Sequence, residues 1–253
     1  MIDQLKSRLN LKAVLRNLEV LPALDPVSAE LISDWNISLR FSVWRDTQVV
    51  LDFHDGRCVF HSDSKESTSV NLFFSSPAHL NNMFENQASP LPLKGFTKLG
   101  FLKKEFSQLI GRLEYFLKPA AETVQDEAFK KVNLALSLNT AVFAIPELMK
   151  LDPVSRRIAP QFSAGSLQFS VDPDGPHAHI IFDGQSRAVA FPGPAVNPTA
   201  MTVFKNSEVA QALVAGTLDS FAAVATADIQ LRGMIPLIDH SNVILDRLPL
   251  YLQ

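Results

Sequence analysis

The residues best suited to chemistry in this sequence are its histidines and its single cysteine. His177 and His179 lie two positions apart, so they share one face of a strand, a spacing that can bind a metal ion. No acidic or thiol third ligand stands out beside them, and the sequence favours an exposed polar pair. His54 and His61 flank Cys58. A nucleophilic thiol there would need to be exposed with a lowered pKa, and the alternative is a small buried apolar residue.

Other signatures of catalysis are missing from the sequence. It contains no Gly-x-Ser-x-Gly elbow, no His-Glu-x-x-His pair, no P-loop and no Gly-x-Gly-x-x-Gly turn. With only 10 glycines in the chain, loops that cradle phosphate are not expected. We therefore expect a protein without catalytic activity, cofactor or metal. An enzyme would require a cluster of perturbed ionisable groups in a cleft.

Composition and charge narrow the class of protein further. The 253 residues are 47% hydrophobic and 19% charged, which is typical of a folded chain with a sizeable core. A net charge of −3 argues against a nucleic-acid partner bound through a broad basic face. The lone Cys58 excludes an internal disulfide. No charge-free run reaches the length of a membrane span, and charges interrupt any signal-peptide core. The expectation is a soluble, cytoplasmic protein.

The sequence also repeats itself over a long period. LDPVS at 24–28 recurs at 151–155, and SLRFSV at 38–43 is similar to SLQFSV at 166–171. FHDG at 53–56, LKG at 93–95 and Arg112-Leu113 have counterparts in the same order at 182–184, 231–233 and 247–248. We interpret this order as a tandem duplication with units 1–121 and 122–253. Each unit has the size of a small domain.

Local patterns predict an α+β fold for each unit. Each begins with apolar residues at three- and four-residue steps, the spacing of a helix. Leu39, Phe41 and Val43 then alternate with polar residues, as expected for a strand with one buried face. The Asp55-Gly56 dipeptide between apolar runs predicts a hairpin. Further short strands and a closing helix follow, which gives a mostly antiparallel sheet with helices on one face. The apolar stripe of that closing helix in the first unit consists of Phe106, Leu109, Ile110, Leu113 and Phe116 with Leu117.

The second unit contains four characteristic segments: GSLQFSV (165–171), IIFDG (180–184), the segment 200–213 and above all AGTLDSFAAVATADIQLRG (215–233). Through these segments it resembles the sterol carrier protein two family of lipid-binding domains. The resemblance implies a five-stranded sheet covered on one face by helices, with an apolar tunnel for sterols, fatty acyl chains or other lipids between them. It also implies that the domain has no catalytic residues of its own.

The first unit departs from this pattern. Between Phe74 and Leu93 it has 18 residues, where the second unit has 26 between Phe204 and Leu231. The shorter segment lacks the Gly-x-Leu-Asp stretch and its following short helix. We therefore predict a degenerate first copy and a ligand site mainly in the second. The residues predicted to line that site are Phe169, Ile180, Phe182, Leu213, Phe221, Ile229, Leu231, Met234, Leu237, Ile244 and Leu248.

Two functions follow from these patterns. The first is non-catalytic binding or transfer of a sterol, fatty acyl or isoprenoid lipid. The alternative is an interaction scaffold or accessory factor whose cavity has collapsed and which holds a partner enzyme. The excess of 18 Phe over 2 Tyr and 2 Trp suits both a lipid cavity and a plain core. Lys94, Lys98, Lys103 and Lys104 suit anionic head groups at a membrane surface, or simply a solvated face.

Overall fold

The computed structural model describes residues 1–120, 123, 126–214 and 217–252, without the side chains of Ser220 and Phe221. The chain divides into two compact units, Met1–Val124 and Gln125–Gln253. Each unit combines helices with one five-stranded sheet, so the α+β class is confirmed.

The described residues of the first unit contain six short α-helices. They are α1 (Ile2–Leu9), α2 (Leu21–Leu24), α3 (Pro26–Ile32), α4 (Pro77–Phe84), α5 (Leu99–Phe101) and α6 (Ser107–Leu117). Wider π turns follow α1 at Asn10–Val14 and precede α6 at Leu102–Phe106, and tighter 3-10 turns lie at Leu15–Glu19 and Phe96–Lys98. The sequence predicted one opening helix. The structure changes helix type along it, while Leu5, Leu9 and Leu18 all remain buried.

The strands of the first unit are close to those predicted from alternation. They are β1 (Ile37–Val43), β2 (Gln48–His54), β3 (Arg57–Ser62), β4 (Val70–Phe74) and β5 (Leu91–Lys94). The hairpin predicted at Asp55-Gly56 is confirmed. Both of its residues have positive φ, 50° and 68°, which is the backbone of a two-residue hairpin turn that matches strand twist.

In the second unit, one long helix forms the centre of the core. The helices are α7 (Glu127–Leu151), α8 (Pro153–Ile158), α9 (Ser207–Val214), α10 (Ser220–Ala225) and α11 (Ile235–Leu245). Among the described residues α7 is the one helix with the length and composition to cross a membrane, but most of it is buried inside the unit. Its apolar residues surround the axis, as in a helix enclosed by its own domain.

The two sheets have the same connectivity. The strands of the second unit are β6 (Gly165–Val171), β7 (His177–Phe182), β8 (Ala188–Pro192), β9 (Ala200–Phe204) and β10 (Ile229–Gly233). The strand orders, β3-β2-β1-β4-β5 and β10-β9-β6-β7-β8, coincide when the second is read in reverse. In both, the first and fourth strands of the unit pair in parallel at the centre. The sheets are therefore mixed, which corrects the mostly antiparallel prediction. Local hairpin signals do not reveal this long-range pairing.

The predicted difference between the units is also present. In the part of the chain that the structure describes, the second unit places two helices, α9 and α10, between its last two strands, whereas the first has α4 alone between β4 and β5. The segment that follows α4 contains Pro90 and Pro92, which lack the backbone N–H that a helix needs. The Gly-x-Leu-Asp stretch of the second unit includes Gly216, which lies outside the described residues.

The repeated LDPVS motif begins a helix in each unit. The Asp25 carboxylate caps α3 by accepting hydrogen bonds from the backbone N–H and the hydroxyl of Ser28, at 3.1 and 2.6 Å. It also accepts two bonds from the Arg112 guanidinium of α6, at 2.9 and 2.8 Å. We call Asp25, Ser28 and Arg112 the aspartate clamp. It joins the start of α3 to the closing helix.

The second unit repeats the clamp with one change. Asp152 caps α8 through the N–H and hydroxyl of Ser155, at 2.8 and 2.9 Å. Arg247, the counterpart of Arg112, donates to Asp152 over 3.4 Å, and the Tyr251 hydroxyl donates at 2.7 Å. The repeated Asp and Arg thus have the same structural role, but tyrosine supplies the shorter bond here.

Candidate functional site

The predicted histidine pair lies on one face of β7, as its spacing required. His177 and His179 are opposite Ser170 and Gln168 of β6. The His179 ring stacks on Phe191, and its Nδ1 is 2.9 Å from the Gly193 carbonyl oxygen. Both histidines are half-buried rather than exposed. No group of three or more His, Cys, Asp or Glu side chains that could hold a metal occurs among the described residues.

Cys58 lacks the surroundings of a nucleophile. It is buried, and burial raises the pKa of its thiol. The strand register pairs Cys58 with Phe53 on the buried face, whereas His61 and His54 alternate onto the opposite face of the sheet. The sheet therefore separates Cys58 from both histidines, which share the other face.

The residues predicted to line a tunnel in the second unit lie mainly around its buried core. The strand members Phe169, Ile180, Phe182, Ile229 and Leu231 share the face of the sheet that the helices cover. Leu237 and Ile244 are buried on α11, whereas four others are half-buried: Leu213, Leu231, Met234 and Leu248. The side chain of Phe221 lies outside the described part of the structure.

A cavity of about 470 Å³ lies in the first unit, between its sheet and its closing helix. Its floor is formed by Phe41 of β1 and Leu72 of β4, both buried. Leu15, Phe106 and Leu113 also line it, and they are buried too. The volume falls in the range of about 300–1,000 Å³ typical of small-molecule sites. Well-packed cores leave few voids of this size.

Irregular helical turns form the walls of the cavity. Val14 and Leu15 stand where the first π turn meets the 3-10 turn, and Leu102 and Phe106 bound the second π turn. A π turn is wider than an α-helical turn and is frequent at functional sites. Both changes of helix type therefore occur at the wall of the cavity.

The mouth of the cavity is polar and exposed. The segment after α4 contributes Asn86 and Ser89, and α6 with its preceding turn contributes Lys103, Ser107 and Glu114. All five are exposed. The cavity thus changes from a buried apolar floor to a hydrated rim. That gradient suits an amphipathic molecule with a hydrocarbon body and a polar end.

An ion pair lies beside this rim. Lys6 Nζ is 2.6 Å from the Glu85 carboxylate, just before Asn86. The hydrogen bond and the charge of Lys6 lower the pKa of Glu85, and the charge of Lys118, a further lining residue, adds to the effect. Because the pair is exposed, it contributes little to stability. It adds fixed charges of both signs close to the mouth.

The sequence patterns picked out some residues that line this cavity, but they did not predict the cavity itself. The predicted stripe of the closing helix contains Ile110 and Leu113, which line the cavity. The segment predicted to lack a cavity wall supplies other lining residues, among them Met83, Pro90 and Pro92. A further signal is Gly111, a glycine within α6 whose absent side chain would meet no atom within 4 Å.

Comparison with known proteins gives structural neighbours only. No protein-family model matches the chain, and no curated protein matches it. Among solved structures, palmitated SCP2L2 from Aedes aegypti is 20% identical, with 41% of this chain and 90% of that chain covered and a TM-score of 0.31. The sterol carrier protein domain 2 of Helicoverpa armigera is 16% identical, with 44% and 90% covered and a TM-score of 0.32. The sec-alkylsulfatase Pisa1 from Pseudomonas sp. is 8% identical, with 57% and 28% covered and a TM-score of 0.27. The chain is thus similar to sterol carrier protein domains over about two fifths of its length.

Proposed function

We propose that this protein binds a hydrophobic ligand without catalysing a reaction, and that the first unit holds the ligand in its cavity. The observation that carries the proposal is the apolar space of about 470 Å³ that opens at a polar rim. Burial of hydrocarbon contributes about 0.8 kcal/mol for each CH₂ group. A fatty acyl, sterol or isoprenoid lipid could therefore bind through its apolar body, with its polar end at the rim.

The site predicted in the second unit remains a separate proposal. The tandem duplication from which it follows is supported by the identical strand order of the two sheets. It is also supported by the matching Asp25–Arg112 and Asp152–Arg247 pairs. If both copies retain the ancestral role, the chain would bind two ligands. If the first alone does so, it would bind one.

The alternative function is an interaction scaffold that holds a partner protein. It is favoured by apolar side chains exposed on the outer face of the second sheet, namely Ile181, Val189 and Phe191. This alternative requires no ligand in either unit. Both proposals include a cytoplasmic location, which is the expectation from the sequence.

Native mass spectrometry of gently purified protein, followed by lipid extraction, tests these proposals. Ile110→Trp places a larger side chain inside the first cavity and should remove at least nine tenths of the bound lipid. Gln108→Trp is the matched control on the same helix, because it adds the same side chain at an exposed position outside the cavity lining. It should retain wild-type occupancy. Leu248→Asp addresses the second unit and should leave the first ligand in place.

The outcomes separate the proposals. Loss of lipid in Leu248→Asp but not in Ile110→Trp would assign the ligand to the second unit. Loss in both variants, each by about half, would indicate two sites. Wild-type protein that carries no lipid and ignores fluorescent fatty-acid and sterol probes would contradict lipid binding and favour the scaffold.

A further inference from the structure

An exposed apolar surface runs along the outer strand of the first sheet. Leu91 and Leu93 of β5 are 50% and 57% exposed, and Phe96 in the following turn is 64% exposed. Trp44 is 57% exposed, and its ring centroid lies 6.0 Å from that of Phe73. Phe73 is opposite Leu91 in the strand register, so it connects Trp44 to the apolar residues of β5. Two aromatic and two aliphatic side chains thus face water in one region of the unit.

Lysines are interleaved with these apolar residues. Lys94, Lys98, Lys103 and Lys104 are all exposed, and no acidic residue occurs from Asn86 through Lys104. The Nζ of Lys94 donates to the Ser67 hydroxyl over 3.1 Å, which fixes one of the four charges beside the edge strand. We call Trp44, Leu91, Leu93, Phe96 and these four lysines the edge patch.

The backbone holds the edge patch in place. Gly95 has φ of 87°, a conformation that favours glycine. A Cβ atom at this position would lie 2.8 Å from Val70 Cγ2 and 2.9 Å from the Ser69 carbonyl oxygen. Glycine therefore allows the chain to turn tightly against β4 between Lys94 and Phe96. The charged and aromatic side chains of the patch belong to a defined turn.

We propose that the edge patch docks the protein on the surface of an anionic phospholipid bilayer. Tryptophan favours the membrane interface, where one end of its ring meets hydrocarbon and the other meets water, and phenylalanine and leucine add apolar area that can insert beside it. Lysines beside them are attracted to anionic head groups. An acidic protein partner would satisfy the lysines, but it gives no reason for four large apolar side chains to be exposed among them.

The position of the cavity supports a lipid surface as the occupant. Pro92, Leu99 and Lys103 line the cavity and belong to the same stretch of chain as the patch. A bilayer in contact with the patch would therefore lie close to the mouth, and a lipid could enter with little exposure to water. The docking proposal goes beyond ligand binding and does not require the cavity to be filled.

Co-sedimentation of the full chain with vesicles tests the docking. Binding is expected with phosphatidylcholine vesicles that contain phosphatidylserine, and it should weaken as salt is added. Lys98→Gln and Lys104→Gln should each reduce binding about fivefold, which corresponds to about 1 kcal/mol for each lysine near an anionic surface. Phe96→Ser should reduce it about tenfold or more, because it removes an exposed aromatic ring. Matched controls on exposed positions of the second unit are Val196→Ser and Arg157→Gln, which should bind as wild type.

Tryptophan fluorescence provides a second readout, which reports insertion into the membrane and not the folded state of the variant. The two tryptophans are Trp44, in the patch, and Trp35, which packs against Phe53 and Phe101. In Trp35→Phe the remaining Trp44 emission should shift to the blue with anionic vesicles and be quenched by brominated lipid. No sedimentation with anionic vesicles would overturn the proposal, as would binding unchanged in the lysine and Phe96 variants. Binding to soluble polyglutamate without vesicle binding would overturn it in favour of an acidic protein.

The docking and the ligand proposals fail in different ways. Ile110→Trp fills the cavity but leaves the edge patch intact, so it should bind vesicles as wild type does. Vesicle binding by lipid-free protein would support docking even if no cavity ligand is found. Lipid in the cavity without vesicle binding would leave the ligand proposal standing and remove the docking surface.

Discussion

Removing the guanidinium of Arg112 tests how the closing helix is held to the first unit. In Arg112→Ala the Asp25 carboxylate loses two hydrogen bonds, of 2.9 and 2.8 Å. A hydrogen bond to a charged group contributes about 1.5–3 kcal/mol. The Arg112 side chain is 28% exposed and that of Asp25 is 5% exposed, so solvent screens the pair in part. We therefore expect the free energy of unfolding of the first unit to fall by about 2 kcal/mol for both bonds together.

The repeat supplies a matched control. Arg247 occupies the equivalent position but approaches Asp152 only to 3.4 Å, beyond the usual N–H···O range of about 2.7–3.2 Å. Arg247→Ala should therefore lower the free energy of unfolding of the second unit by less than about 1 kcal/mol. Tyr251→Phe removes the bond of 2.7 Å and should cost about 1 kcal/mol or slightly more.

Urea denaturation can follow the first unit separately. Both tryptophans, Trp35 and Trp44, belong to it, so their fluorescence reports its unfolding while far-UV circular dichroism reports the whole chain. With a slope of about 2 kcal/mol per molar urea, a loss of about 2 kcal/mol lowers the tryptophan midpoint by about 1 M. Arg112→Lys keeps the charge but not the paired bonds and should recover only part of the loss. An unchanged midpoint in Arg112→Ala, or an equal effect of Arg247→Ala, would refute the reasoning.

Two further outcomes follow from buried groups of the first unit. Burial alone raises the pKa of Asp25, but the hydrogen bonds from Arg112 and Ser28 outweigh it and lower the pKa below its ordinary value. The stability that this lowered pKa provides is complete above the unfolded pKa of about 3.9 and is lost as pH falls through the lower folded value. In the wild type, the urea midpoint measured by tryptophan fluorescence should therefore fall below about pH 4. Asp25→Asn should make this fall less steep. A fall as steep as in wild type would contradict this. Since burial raises the pKa of the Cys58 thiol, a thiol reagent should react with it only at urea concentrations that unfold the first unit, whereas rapid reaction with the native protein would show that the thiol is accessible.

Local features of the fold could be predicted from the sequence because they have local causes. The alternation of Leu39, Phe41 and Val43 places every second residue on the buried face, and β1 follows it. Asp55-Gly56 has the residue types that a positive φ favours. The parallel pairing of β1 with β4 could not be predicted in this way, because it depends on packing between segments about thirty residues apart in the chain. The repeated motif was visible, but its role in the aspartate clamp was not.

The cavity could not be predicted from the sequence for a different reason. The stripe containing Ile110 and Leu113 predicts a buried helix face whether or not that face leaves space beneath it. An empty volume depends on side chains that do not meet, so no residue type marks it in a sequence. The widened turns at Asn10–Val14 and Leu102–Phe106 border this space. Apolar spacing did not predict them, because residues three and four apart remain close to one face when the helix changes type.

The proline of the outer strand also affects how copies of the protein meet in solution. β5 has only four residues, and Pro92 within it has no N–H to donate to a neighbouring strand. A short edge strand interrupted by proline is a poor template for intermolecular sheet growth. The first unit can therefore present large apolar side chains beside its sheet edge while resisting the strand-by-strand aggregation that such an edge would otherwise promote.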